Sequence, residues 1–182
     1  VGDNTARASG VIAPAGGGGA WTQISTQTAS ADATIDFTTL SADYRDFRII
    51  ANNIKIAAGN ADVYLRVDAG SGFGSSSNYR YAFRELDSSG NIINPTDNNQ
   101  SYVALCSHAW DYATEYNGAL QVTVYDVHNT AQWKMMHCEF DYWDDNHELT
   151  SGSGAASYDG AVTAITGLRI YPSANTIASG EF

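Results

Sequence analysis

Apolar residues recur at every second position through short runs that cover most of this chain. Ala33-Thr34-Ile35-Asp36-Phe37 puts Ile35 and Phe37 on one face, with Thr34 and Asp36 on the other. Val63-Tyr64-Leu65-Arg66-Val67 repeats the device, and Tyr79-Arg80-Tyr81-Ala82-Phe83-Arg84 alternates aromatic and basic residues. Residues 21–26, 46–51, 101–107, 119–125 and 167–171 read as strands too, and 132–142 is a longer run with apolar residues on both sides. A period of two belongs to strands with one face on a core and the other in water.

Turn chemistry separates the runs. Ala58-Gly59-Asn60 and Ser88-Ser89-Gly90-Asn91 read as turns, 70–77 and 95–100 as polar loops, and 148–158 as a Gly/Ser loop. No stretch sustains an apolar period of 3.6; a single helical turn over 40–44 is the best helix candidate. About eight to ten short strands parted by turns predict an antiparallel β-sandwich or barrel. No strict repeat points to a propeller or solenoid.

Residues 1–20 stand apart as an arm. Gly16-Gly17-Gly18-Gly19 after Pro14 forms a hinge, and Val11-Ile12 is the apolar pair that could dock on a neighbouring chain. The sandwich is expected to span 21–182. The chain's length of 182 residues suits one domain, and its 43% hydrophobic residues suffice for a core. A net charge of −11, with nine scattered Lys and Arg, argues against nucleic acid or an anionic membrane surface as partner. No stretch is apolar enough over the length of a bilayer span, so no membrane insertion is expected. The opening Val1-Gly2-Asp3-Asn4 has no basic region followed by an apolar run, and no leader is expected there. Cys106 and Cys138 lie in apolar runs without metal-type spacing; they are expected as small core hydrophobes, with a bridge between them left open.

The densest chemistry lies at 137–148. On a strand, His137, Glu139 and Asp141 share one face, and Cys138, Phe140 and Tyr142 the other. Glu139, Asp141, Asp144, Asp145 and Glu148 could supply the carboxylate pair of a glycosidase. A solvent-facing strand edge running into an acidic turn is the reading favoured over it. The same carboxylates lack the calcium-loop pattern, the four histidines lack zinc spacing, and the Gly-rich stretches lack the Lys-Ser/Thr of a phosphate loop. No catalytic residue, metal or cofactor is therefore predicted. Exposed aromatics are the better lead: Tyr79, Tyr81, Trp110, Tyr112, Tyr116 and Trp143 adjoin loops, where rings can stack on sugars or pack on a partner.

The closing segment, from Ile165-Thr166-Gly167-Leu168-Arg169-Ile170-Tyr171 through Ile177-Ala178-Ser179-Gly180-Glu181-Phe182, resembles that of small tailed-phage virion structural proteins. In that family an Ile-x-x-Ile/Leu-Arg-aliphatic strand precedes a Ser/Asn turn and an Ile-Ala-Ser-Gly element. Trp21-Thr22-Gln23-Ile24, Ile35-Asp36-Phe37, Tyr44-Arg45-Asp46-Phe47-Arg48-Ile49 and the run 118–125 extend the resemblance over most of 21–182. The family's last strand runs on past Ser-Gly-x-Phe, so the native chain either continues beyond Phe182 or ends in a shortened strand.

The resemblance implies a jelly-roll-like domain without catalytic residues, in a tail fibre, appendage or capsid decoration protein of the virion. The leading expectation is a trimeric appendage head, anchored by Val11, Ile12 and Pro14 to sister subunits or other virion proteins, with loops toward host-surface glycans. A capsid decoration protein and a carbohydrate-binding module of a secreted protein are the alternatives.

Overall fold

The computed structural model describes residues 21–113 and 115–182. The predicted arm, with Val11, Ile12 and Pro14, lies outside them. Among the described residues thirteen strands follow in order. The first five are β1 (Thr28–Ala29), β2 (Ile35–Thr38), β3 (Phe47–Ile56), β4 (Val63–Asp68) and β5 (Tyr79–Asp87). Then come β6 (Ile92–Ile93), β7 (Thr96–Gln100), β8 (Val103–Ala104), β9 (Gly118–Val124) and β10 (Lys134–Trp143). The last three are β11 (Leu149–Tyr158), β12 (Gly167–Pro172) and β13 (Ile177–Glu181).

They form two antiparallel sheets, the all-β sandwich that alternation predicts. The larger runs β1-β13-β3-β9-β10-β11-β5-β6, with β7 also on β5; the smaller runs β2-β12-β4-β8. The pairings are nested: β1 with β13, β2 with β12, β3 with β9 and β4 with β8. Such nesting is one long hairpin whose two arms roll up together, the jelly-roll wrap. Two insertions leave it, β5–β7 after β4 and β10–β11 after β9. They pair with each other, β11 against β5, and widen the larger sheet beyond β9.

The core lies between the sheets, with Val63, Leu65 and Val67 of β4 and Leu120, Val122 and Val124 of β9 all buried in one cluster. In β5 the aromatics Tyr79, Tyr81 and Phe83 turn inward and Arg80 and Arg84 outward, the phase that their alternation sets. In β10, Cys138, Phe140 and Tyr142 are inside, with Glu139 and Asp141 outside. Cys106 and Cys138 are both buried and free.

Several expectations fail locally. Residues 21–26 form no strand, and β8 keeps only two residues of the run expected over 101–107. The turn near residue 40 is one hydrogen bond, Tyr44 N to Ser41 O at 3.3 Å, without a helix. Residues 96–100, expected as loop, form β7 on the edge of β5.

The largest correction is β11, a ten-residue interior strand where a Gly/Ser loop was expected. Its glycines are required by the bulk on either side. A Cβ on Gly152 would stand 2.4 Å from Phe140, and one on Gly154 would stand 2.2 Å from the Ala82 carbonyl oxygen. Glycine normally weakens a strand, but it is suited to a place where neighbouring groups approach this closely.

Candidate functional site

The outer face of the larger sheet carries the candidate site, where the insertion strands β10 and β11 adjoin β3 and β9 of the wrap. Asp141 stands opposite Ala119 on one side and Ser151 on the other. Around it two depressions meet. One is an open hollow of about 190 Å³ between Asn52, Asn53, Asn117, Asp141, Trp143 and Leu149. The other is a groove of about 450 Å³, with Glu139 and Asp141 on one wall, Arg84 and Leu86 on the other, and Ser151 and Ser153 on the floor. Because β10 is flanked by β9 and β11, its carboxylates occupy an interior strand of the face and not the strand edge that the sequence suggested.

A β-bulge shapes the hollow. The register of β3 on β9 slips between Ala51 and Ile54, which places Asn52 and Asn53 together on the rim. Asn53 takes the left-handed conformation, at φ 54°, which asparagine tolerates better than most residues. Its Oδ1 accepts a bond from Asn117 Nδ2 at 3.3 Å.

The wall beyond Asp141 is aromatic. Trp143 stacks on Tyr116, ring centroids 4.7 Å apart and 9° from parallel, and Tyr116 in turn meets the His147 ring at 5.8 Å. His147 Nδ1 stands 2.6 Å from Asp111 Oδ2, without the alignment of a hydrogen bond. Asp111 is itself buried, and its Oδ1 accepts from Ala113 N at 2.9 Å.

The acidic turn after β10 is not a solvated one throughout. Asp144 is fully buried. Its Oδ1 accepts from Asn146 N at 2.9 Å and Glu148 N at 3.0 Å, and its Oδ2 from Thr150 Oγ1 at 3.3 Å. His108 Nδ1 lies 3.6 Å from the same Oδ2. Asp144 thus ties the β10–β11 turn together, while Asp145 faces solvent.

Among the predicted aromatics, Tyr112 is exposed, and Tyr116 and Trp143 are half-buried beside the hollow. Tyr79 and Trp110 are corrections, since both are core residues with about 1–2% exposure. The Tyr79 hydroxyl receives a bond from Val67 N at 2.9 Å, and burial first of all pushes its pKa up to about 12. Trp110 stacks on Tyr142 at 5.1 Å and fills the space under Gly118. Tyr81 is turned inward, stacked on Phe83 at 5.4 Å. Lying beside a loop in sequence did not put these rings on the surface, because Tyr79 and Tyr81 take the inward positions of β5 and Trp110 packs on Tyr142 beneath Gly118.

One carboxylate has the raised pKa that acid catalysis would need, but it points into the core. Burial pushes Glu85 above the ordinary carboxylate range, although Ser107 Oγ and the Tyr142 hydroxyl both donate to its Oε2. Among the described residues no three His, Cys, Asp or Glu side chains gather where they could hold a metal ion.

The asparagines escaped the sequence reading, although a signal existed. Asn52-Asn53 interrupts the alternation of β3 with two adjacent polar residues, the mark of a bulge. Compared with protein-family models, curated proteins and solved structures, the chain finds no match in any of the three.

Proposed function

We propose that this chain is a non-enzymatic structural protein of a tailed-phage particle, a sandwich head whose widened outer face meets host-surface glycans. The observation that carries the reading is the place of the closing segment. The residues resembling small phage particle proteins form β12 and β13, which complete both sheets of a jelly-roll wrap. The wrap alone serves many functions, so the particle assignment leans on that resemblance. The glycan assignment leans on the outer face, where amides, a carboxylate and a fixed indole surround an open hollow.

In this reading the segment 1–20 joins the head to sister subunits, as a trimer, or to other virion proteins. Mass spectrometry and density of purified particles test it. A few tens of copies at the tail would establish an appendage, hundreds over the shell a decoration protein, and absence from particles would sink the assignment. Deleting 1–15 should leave the thermal midpoint unchanged and abolish assembly; a truncated protein that still assembles would move the contacts to the sandwich.

A further inference from the structure

We infer that the hollow beside Asp141 binds a single uncharged sugar ring, with Asn52, Asn53, Asn117 and Asp141 taking its hydroxyls and Trp143 with Leu149 its C–H face. The inference rests on the glycan-contact reading and gives it a place and a ligand class.

Size limits the ligand first. At about 190 Å³ the hollow falls below the roughly 300–1,000 Å³ of pockets that enclose drug-sized molecules. It suits one ring, entered from solvent, with the rest of a glycan lying outside or along the groove over Ser151 and Ser153.

The polar groups match a sugar's chemistry. Each hydroxyl both donates and accepts, and so does each side-chain amide. The Asn52 amide and the Asp141 carboxylate make no hydrogen bond within the described residues, and neither belongs to the internal network around Asp144. The Asn117–Asn53 bond at 3.3 Å uses one donor and one acceptor, and it leaves the other half of each amide free. This bond also orients the pair before a ligand arrives.

The apolar side is fixed in advance as well. Trp143 and Leu149 are directly opposite across β10 and β11, and Tyr116 covers part of the indole and holds it. An aromatic ring held this way presents contact area without loss of side-chain freedom on binding. The bulge that places Asn52 and Asn53 on the rim interrupts the regular register of β3 on β9, a departure often found beside binding sites.

Charge then selects among sugars. Asp141 lines the hollow, Glu139 follows on the same face, and the chain carries −11 overall. A carboxylate on the ligand would meet a carboxylate of like sign in the hollow. Uronic and sialic acids are therefore disfavoured, and neutral hexoses and N-acetylhexosamines accepted.

The test is a titration of the full chain, followed by NMR, with glucose, galactose, mannose and N-acetylglucosamine, and with glucuronic and N-acetylneuraminic acids. At least one neutral sugar should shift the side-chain amide signals of Asn52, Asn53 and Asn117 and the Trp143 indole signal. Asp141→Ala should weaken that binding tenfold or more at an unchanged thermal midpoint, Arg84→Ala should not, and Asp141→Asn should narrow the gap to the acidic sugars. Silence of these signals at tens of millimolar, or preference for an acidic sugar, overturns the inference. Binding that moves only other residues overturns this site and leaves the glycan-contact reading intact. Binding here by a protein absent from phage particles sinks the particle assignment instead.

Discussion

Gly118 lies so close over the Trp110 indole that a Cβ at that position would stand 2.3 Å from its Cζ3 atom. The pair closes the end of the core, since Trp110 also stacks on Tyr142 and bridges Ala61 to Asp144. Overpacking a filled core costs about 1–3 kcal/mol. Gly118→Ala should therefore lower stability by about that amount in a urea titration. An unchanged midpoint would mean that the indole has room to retreat.

Asp144 gives a second stability prediction. Replacing it with Ala strips the acceptor from Asn146 N and Glu148 N and from Thr150 Oγ1. The Thr150 hydroxyl is left unpaired in the interior, at about 1–3 kcal/mol, and the two part-buried amides lose bonds worth about 0.5–1.5 kcal/mol each at most. A loss of roughly 2–4 kcal/mol is therefore expected, while Asp145→Ala stays within about 0.5 kcal/mol. Equal effects from the two would show that the turn is held by something other than the buried carboxylate.

Glu85 predicts a pH dependence whose sign follows from burial. Its pKa is raised in the folded protein, so between the ordinary carboxylate range and the raised value the folded state binds more protons than the unfolded. Stability from this group is complete below the ordinary range and is lost as pH climbs through the folded value. Glu85→Gln should then reduce the fall in urea midpoint between about pH 4 and about pH 8. Parallel profiles for the two proteins would count against the buried carboxylate as a source of that slope.

The cysteines offer a fourth. Burial raises the thiol pKa of both Cys106 and Cys138, and both side chains are inside the sandwich. Reaction with a thiol-specific chromogenic reagent should wait for denaturant and then reach both groups. Prompt labelling of the native protein would show that the core opens far more often than its packing suggests.

How much of this was legible in the sequence depends on where the determining contacts lie. In β3, β4, β5 and β10 the alternation itself selects the face, so the inward Phe83 and outward Asp141 could be read directly. In β11 the reason for strand lies in other strands. Gly152 and Gly154 are small because Phe140 and Phe83 fill the space beside them, and locally the run has only the composition of a loop. Trp110 misled for the converse reason: its neighbours are polar and loop-like, yet Gly118 and Tyr142 enclose it. The site was half visible. Trp143 and Asp141 were singled out from one run, but joining them to Asn52, Asn53 and Asn117 needed the sheet order.

The nested pairing also dictates when this protein can fold during synthesis. The Arg169–Asp36 ion pair joins residues 133 positions apart, and Gln27 N bonds to Phe182 O. An elongating chain on the ribosome can zip the innermost arms, β4 with β8, long before β1 and β2 find partners. Their pairing rows wait for the last strands to emerge, and pairing across such separations is slow. Nascent chains stopped before β12 should stay protease-sensitive, so closure of the sandwich has to wait until β12 and β13 have left the ribosome.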